Sequence, residues 1–245
     1  TEKSLEEENV LPSELTLVGV FGLRDEMRKE SLTAVETAHK AGIQVVMITG
    51  DAKETAQAIA KEVGILENEK GLILTSTQLG EFSDQEIKDF LPNLRVVARA
   101  LPTDKSRLVK LAKSMDWVVG MTGDGVNDAP AVKNSDVGFS MGNGTDMTKE
   151  SSDIVILDNN FNSLTNAVRY GRTLLKSIRK FLIFQLTVNV TAVLVAFLGP
   201  FFGTDLPLTM TQLLWINIVM DTLAAFAFSG EAALRRYMNE KPIPK

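Results

Sequence analysis

A parallel α/β sheet layered by helices, followed by a hairpin of two membrane-crossing helices, is the fold class this sequence predicts. Three observations predict it. Short runs rich in Val, Ile and Leu alternate with helical stretches between Glu14 and Asp158, the mark of strand–helix–strand crossovers with helices on both faces. Two long apolar stretches follow, 182–204 without a charge and 208–230 with the single charge of Asp221. Loops rich in Gly, Asp and Thr fall where strands end, the edge at which such sheets bind ligands.

Residues 1–13 are acidic and aperiodic and read as a solvated lead-in, since a signal peptide needs an apolar stretch there. The α/β unit occupies 14–158. Its strands are predicted at Leu15–Val20, Gln44–Ile48, Arg95–Ala98, Trp117–Met121, Val137–Met141 and Ile154–Leu157. Helices are predicted at Lys29–Ala41, Glu54–Val63, Thr103–Met115 and Val126–Lys133. A stalk helix over 159–181 carries Arg169, Arg172, Lys176, Arg179 and Lys180 and leads directly into 182–204. At ~1.5 Å per residue that apolar run covers about 34 Å, enough for a bilayer core of about 30 Å. The second span, 208–230, returns through a tight turn to a tail over 231–245 with Arg235 and Arg236. Basic residues therefore flank the hairpin on one side, and the positive-inside rule makes the soluble part and both chain ends cytoplasmic. Two buried helices of a soluble protein are the rival reading, but uncharged runs this long are rare in soluble cores.

Composition narrows the chemistry. The 245 residues include one histidine, His39, and no cysteine, which removes disulfides, iron–sulfur clusters and thiolate zinc and makes a Ser/His/Asp triad improbable. Carboxylates, amides and hydroxyls remain. With 26 Lys and Arg against 31 Asp and Glu the net charge is −5, which argues against a nucleic-acid partner.

Two predicted strands end in the same kind of tetrapeptide, Ile48-Thr49-Gly50-Asp51 and Met121-Thr122-Gly123-Asp124. The glycine lets the chain turn while hydroxyl and carboxylate project over the sheet's edge. The second continues as Gly125-Val126-Asn127-Asp128-Ala129-Pro130, so two carboxylates stand four apart at a loop-to-helix transition. Hard oxygens in that spacing suit Mg²⁺, which takes one or two carboxylates plus a phosphate and waters. Lys105 sits in the first turn of a helix for which Thr103 or Asp104 is the expected N-cap. A cation there is unfavourable unless an anion lies opposite, which points to a phosphoryl partner; a solvated surface lysine is the plainer alternative. The order Thr49, Lys105, Asp124, Asp128 matches a haloacid-dehalogenase-type phosphoryl-transfer site whose first part is missing.

From Met121 to Pro130, then Ser140-Met141-Gly142-Asn143-Gly144-Thr145 and Lys149-Glu150-Ser151-Ser152-Asp153, the sequence resembles the P-type cation-transporting ATPases. The likeness runs from about Leu15 to the C-terminus and implies a partial, Rossmann-like haloacid-dehalogenase-type sheet, the stalk and the fifth and sixth membrane helices. It implies Asp124 as a Mg²⁺ ligand, Asn127 and Asp128 as organisers of the metal and phosphate shell, and Thr49 and Lys105 as phosphate ligands. Gly50 and Asp51 then lie near bound ATP. Asp25-Glu26-Met27-Arg28 stands where the family has an Asp-Pro-x-Arg hinge, leaving Asp25 and Arg28 as hinge and nucleotide contacts, with Glu26 in the proline's place. Asp-Lys-Thr-Gly-Thr, which carries the phosphorylated aspartate, occurs nowhere in the chain. The resemblance thus implies part of a pump whose partners are membrane lipid and the missing actuator domain, nucleotide-binding domain and other membrane helices, inactive by itself.

A carboxylate inside a membrane span marks a transport site. Asn217 and Asp221 are four apart, hence on one helix face, with Thr222 beside them. In the first span Asn189 is the prominent amide, with Gln185 four residues earlier. One carboxylate plus amide oxygens suits Ca²⁺, with further ligands from elsewhere; hydrogen bonding between helices is the alternative for Asn189 and Asn217 and the preferred reading for Gln185. Phe184–Val190 and Leu214–Leu223 resemble the plasma-membrane type of calcium pump. Ala192 and Met220 stand where reticulum-type calcium pumps have a glutamate and a threonine, which implies one Ca²⁺ per cycle. The expectation is therefore part of an ATP-driven calcium pump working through an aspartyl phosphate. The rivals are a secretory-pathway Ca²⁺/Mn²⁺ pump, a non-catalytic membrane protein derived from such a pump, and a membrane-anchored dehalogenase-type phosphatase.

Overall fold

The computed structural model describes residues 30–66, 71–203 and 208–243, together with Thr16, Val18, Gly19 and Arg28. The acidic lead-in, most of the predicted strand Leu15–Val20, and Asp25 lie outside the described residues. The elements run α1 (Glu30–Lys40), β1 (Met47–Ile48), α2 (Lys53–Glu62), β2 (Leu72–Thr75), α3 (Ser76–Glu81), α4 (Asp84–Phe90), β3 (Leu94–Ala98) and α5 (Pro102–Ser114). They continue with β4 (Gly120–Gly123), α6 (Ala129–Asn134), β5 (Val137–Met141), α7 (Asp146–Glu150), β6 (Ile154–Ile156), α8 (Phe161–Leu198) and α9 (Met210–Ser229).

Every described strand pairing is parallel, and helices cover both faces. The described strands form two three-stranded sheets, ordered β1-β3-β2 and β4-β5-β6, rather than one continuous sheet. Strand β3 is the centre of the first. Leu94, Val96, Val97 and Ala98 are each 0% exposed, as expected of a parallel strand buried on both faces. Val97 faces Leu108 and Leu111 of α5, whereas Val96 and Ala98 face Ala56 and Ala60 of α2 and Val35 of α1. Leu94 nevertheless packs on Val97's side. An irregularity at Arg95, skipped in the pairing Leu72↔Leu94 and Ile73↔Val96, explains this, because one extra residue turns the side chains to the opposite face.

The structure corrects several predicted boundaries. Strand β1 keeps only Met47 and Ile48, because Gln44 spends its amide on the carbonyls of Leu91 and Leu94 instead of letting its segment join the ladder. Strand β4 begins at Gly120 rather than Trp117, since the Val119 N–H is taken by the Asp136 carboxylate and the β5 pairing starts at Gly120↔Val137. The predicted helix Val126–Lys133 divides into a 3-10 turn, Val126–Asp128, and α6. No element was expected between Val63 and Arg95. The helices there are short, and α3 and α4 start at reciprocal caps formed by Thr75 with Gln78 and Ser83 with Glu86. The Ser83 hydroxyl and N–H, both donating to Glu86, hold its carboxyl below the ordinary glutamate value.

Stalk and first span are one helix. Its 38 residues reach about 57 Å, ~1.5 Å for each. A 3-10 turn, Gly199–Phe202, follows, and α9 returns antiparallel, with Phe228 meeting Phe181 and Phe184 edge to face. The segments Phe161–Phe202 and Met210–Ser229 are long and apolar enough to cross a membrane, and none of the most apolar stretch of the first is buried. Exposed apolar surface on that scale, including Leu186, Val193, Phe197 and Phe226, disagrees with two buried helices of a soluble globule. After α9 the chain turns back onto the stalk, where Lys180 and Ser177 donate to Glu231 and Lys176 pairs with Glu240.

Two outcomes are expected from this packing. Leu94→Ala destabilises the α/β unit by about 2–5 kcal/mol, read from chemical denaturation of the detergent-solubilised chain. Hydrogen bonds from Lys180 and then Ser177 hold the Glu231 carboxyl below its ordinary value of 4.5. Its stabilisation of the tail is therefore complete above that value and lost as pH falls through the depressed one. A fluorotyrosine at position 237 should report the tail's release in that acid window in the native chain, and no such transition in Glu231→Gln.

Candidate active site

Strands β1 and β4 deliver their loops at their carboxyl ends. In the first loop the Thr49 hydroxyl donates to Asp51 Oδ2 at 2.8 Å, and the Asp51 N–H returns to Thr49 Oγ1 at 3.2 Å. The backbone of this loop is held by the turn after β3, where the Ala100 N–H donates to Thr49 O and the Arg99 N–H to Asp51 O, each at 2.9 Å. Gly50 and Asp51 are exposed and Thr49 is half-buried.

That same turn leads into α5. Leu101, not Thr103 or Asp104, is the N-cap; Pro102 takes the first helical position, where no N–H is needed, and Asp104 reaches back to the Leu101 N–H at 2.9 Å. Lys105 is thereby aimed at the second loop. Its Nζ lies 2.6 Å from Asp128 Oδ1, with side-chain exposures of 18% and 9%. The other oxygen of Asp128 accepts the Asp124 N–H at 3.3 Å. Both oxygens of Asp128 are therefore engaged, whereas the exposed Asp124 carboxylate has no hydrogen-bond partner among the described residues. Gly123 makes this fit possible, since a Cβ there would overlap Asp128 Cβ and lie 3.0 Å from Val132 Cγ2.

Lys105, Asp124 and Asp128 are brought together; Thr49 and Asp51 form a second pair, and no hydrogen bond joins the two groups among the described residues. Asn127 is exposed in the 3-10 turn between Asp124 and α6. Three groups with a structural part here had been given no role from sequence. The Thr145 N–H donates to Asp124 O at 2.9 Å, the Thr148 hydroxyl donates to Gly125 O at 2.8 Å, and Gly144 packs where a Cβ would be 3.2 Å from Asp124 O. They buttress the carboxylate loop from behind. Thr145 is also the N-cap of α7, and a threonine followed by Asp146 is the signal that would have marked it.

Among the described residues no three Asp, Glu or His side chains gather as a ready-made metal site. The donor set fits Mg²⁺ all the same, since that ion needs only one or two carboxylates with water and phosphate. Asp124 would hold it, and Asp128 would orient Lys105. Arg28 lies elsewhere: its Nη1 donates to the carbonyls of Asp158 at 3.2 Å and Asn159 at 2.9 Å, at the start of the stalk.

In the hairpin, the pairing of Phe181 and Phe184 with Phe228 fixes the level of each residue. Asn189, eight residues beyond Phe181, lies about level with Asp221, seven residues before Phe228. Asn217 and Asp221 are half-buried on one α9 face, with Asn217 one turn away. Asn189 is exposed, whereas Gln185, with Phe181, Val188 and Ala192, belongs to the half-buried stripe of α8. Asp221 Oδ1 and Gln185 Oε1 are both buried without a hydrogen-bond partner among the described residues. Two orphaned acceptors, one on each helix, cost free energy until a donor or a cation reaches them.

Comparison with known proteins gives this arrangement its class. The family model of haloacid dehalogenase-like hydrolases matches residues 2–136, and the chain belongs to that family. The model of the C-terminal part of cation-transporting ATPases matches residues 205–245. The chain is 47% identical over 230 residues to the probable calcium-transporting ATPase 6, plasma membrane-type, of Oryza sativa subsp. japonica, covering 93% of this chain and 22% of that protein. It is 44% identical over 234 residues to the calcium-transporting ATPase 12, plasma membrane-type, of Arabidopsis thaliana, covering 94% of this chain and 23% of that one. A zinc-transporting PIB-type ATPase in its E2.Pi state superposes with a TM-score of 0.60 at 25% identity, over 88% of this chain and 28% of that chain. The chain is thus a membrane protein homologous to plasma-membrane-type calcium-transporting P-type ATPases, and it spans less than a quarter of their length.

Gly123→Ala should lower stability by about 1–3 kcal/mol through overpacking against Asp128. Gly50→Ala, whose Cβ meets open space, should stay within about 0.5 kcal/mol of the parent. Thermal unfolding of the two variants in detergent separates these outcomes.

Proposed function

We propose that this chain supplies the metal-and-lysine half of an aspartyl-phosphate site, the stalk and part of the ion path of an ATP-driven calcium pump. The observation that carries the reading is the Lys105–Asp128–Asp124 cluster at the carboxyl end of β4, joined by α8 to a hairpin in which Asp221 Oδ1 is buried without a partner. The phosphoryl acceptor would be an aspartate carboxylate upstream in the same polypeptide. Its oxygen would attack the γ-phosphorus of ATP, ADP would leave, and water would later hydrolyse the acyl phosphate. Mg²⁺ held by Asp124 would offset phosphoryl charge. Lys105, held by Asp128, would present its ammonium to the same oxygens, and the Thr49 hydroxyl would bind another. Asn127 would order the metal and phosphate shell, while Gly50 and Asp51 would border the nucleotide with Asp25. Arg28 would act chiefly as a hinge anchor, because its guanidinium already grips the Asp158 and Asn159 carbonyls.

Asp221, Asn217 and Asn189 would bind the transported Ca²⁺, with remaining oxygens from other membrane helices. Ala192 leaves no second carboxylate, which supports one Ca²⁺ per cycle. The basic flanks of the hairpin support a cytoplasmic side for the α/β unit and both chain ends. Membrane lipid and the actuator, nucleotide-binding and remaining membrane segments would be its partners. In vesicles carrying the full-length polypeptide, Asp221→Asn should reduce ATP-dependent ⁴⁵Ca²⁺ uptake to background; full uptake would remove Asp221 from the site.

A further inference from the structure

Between Phe228 and Asp221 the two spans enclose a polar group that the calcium ligands named above leave out. Phe228 meets Phe181 and Phe184 edge to face, which sets the register of the antiparallel helices. Gln185 then stands opposite Ala224, and Asp221 lies about 7 Å further from the stalk, little more than one turn at ~1.5 Å per residue. Ala224 is 7% exposed, and its single methyl leaves room for a long side chain from α8. Gln185 belongs to the half-buried stripe of α8 with Phe181, Phe184, Val188 and Ala192, whereas Asn189 is exposed.

The surroundings of that amide offer no side-chain donor among the described residues. The stripes that meet there carry Phe184, Val188, Ala224 and Phe228. Hydroxyls nearby along the two helices are spent elsewhere: Thr187 donates to the Ile183 carbonyl, Thr222 to Ile218 and Ser229 to Phe226. The N–H groups within each helix serve its own turns. Gln185 Oε1 is left buried without a hydrogen-bond partner among the described residues, as is Asp221 Oδ1 a turn beyond it. A leucine would fill similar space without that deficit, since a buried amide oxygen loses its hydration with nothing in exchange. Two acceptors in sequence along one interface, the second on a carboxylate, repel each other and favour a cation. An amide oxygen is a hard ligand that Ca²⁺ takes alongside carboxylates. Position gives the order: an ion entering from the stalk end reaches Gln185 before Asp221.

We infer that Gln185 Oε1 is a further contact for the transported Ca²⁺, an entry-side oxygen that receives the ion on the stalk side of Asp221. This rests on the calcium-pump reading above. The test uses the full-length polypeptide in vesicles and measures the Ca²⁺ concentration that gives half-maximal ATP-dependent ⁴⁵Ca²⁺ uptake. Phosphorylation from inorganic phosphate without Ca²⁺ reports, for each variant, that the protein is folded. Gln185→Leu should raise the half-maximal concentration about tenfold, the scale of one lost polar contact. Gln185→Glu, which keeps an oxygen at the same reach, should stay within about threefold of the parent or fall below it. An unchanged value in Gln185→Leu, with uptake still abolished in Asp221→Asn, overturns the inference and leaves the pump reading standing. A rise in Gln185→Glu as large as in Gln185→Leu also overturns it, because the amide then serves as a donor between helices. So does a loss of phosphorylation in Gln185→Leu that matches its loss of uptake, which is a packing role. A parent that forms no acyl phosphate and takes up no Ca²⁺ overturns the pump reading and the inference with it.

Discussion

An ammonium pressed against a carboxylate, Lys105 on Asp128, is the contact on which the site depends. It ties the helix after β3 to the loop after β4, and so one three-stranded sheet to the other. A half-buried pair of this kind is weakly stabilising by itself, but removing either partner leaves a charge with little water around it. Everything around the pair protects its geometry. Gly123 makes room for the Asp128 side chain, Asp104 fixes the first turn of α5, and Thr145 and Thr148 hold the loop from behind. The consequence is a division of labour between two acids four residues apart. Both oxygens of Asp128 accept from protein donors, while the Asp124 carboxylate is left open to solvent.

The membrane half obeys the opposite economy of polar groups. The hydroxyls of Thr187, Thr191 and Thr222 satisfy themselves on the carbonyl four residues back. Asp221 Oδ1 and Gln185 Oε1 do not. In surroundings of low dielectric that deficit is expensive, and a protein tolerates it where function supplies the missing charge. These two acceptors set the hairpin apart from helix packing in which every buried polar atom is paired.

Between these centres lies a junction rather than a simple rod. The long α8 provides continuity, and the return of the post-α9 segment onto Arg172, Lys176 and Lys180 closes a loop of contacts around it. Stalk and hairpin thereby share two covalently separate connections to the α/β unit. The family model of the C-terminal part of cation-transporting ATPases matches residues 205–245, so the returning segment falls within a matched region.

Much of this was legible in the sequence because it is local. Strand periodicity marked Val137–Met141, β-branched runs marked β3, and uncharged length marked both spans; each follows from burial along a single element. The Thr-Gly-Asp loops were legible as strand-end turns, because a glycine after an apolar run lets the chain turn there. Tertiary structure alone decided how those pieces meet. Nothing in the spacing of Lys105 and Asp128 says that one saturates the other and frees Asp124. The bulge at Arg95 that turns Leu94 to the opposite face depends on its partner strand. Whether Gln185 or Asn189 faces α9 depends on the roll of α8, which is set by Phe228 and by the tail, and the grip of Arg172 on three distant carbonyls has no sequence signal because backbone acceptors are the same at every residue.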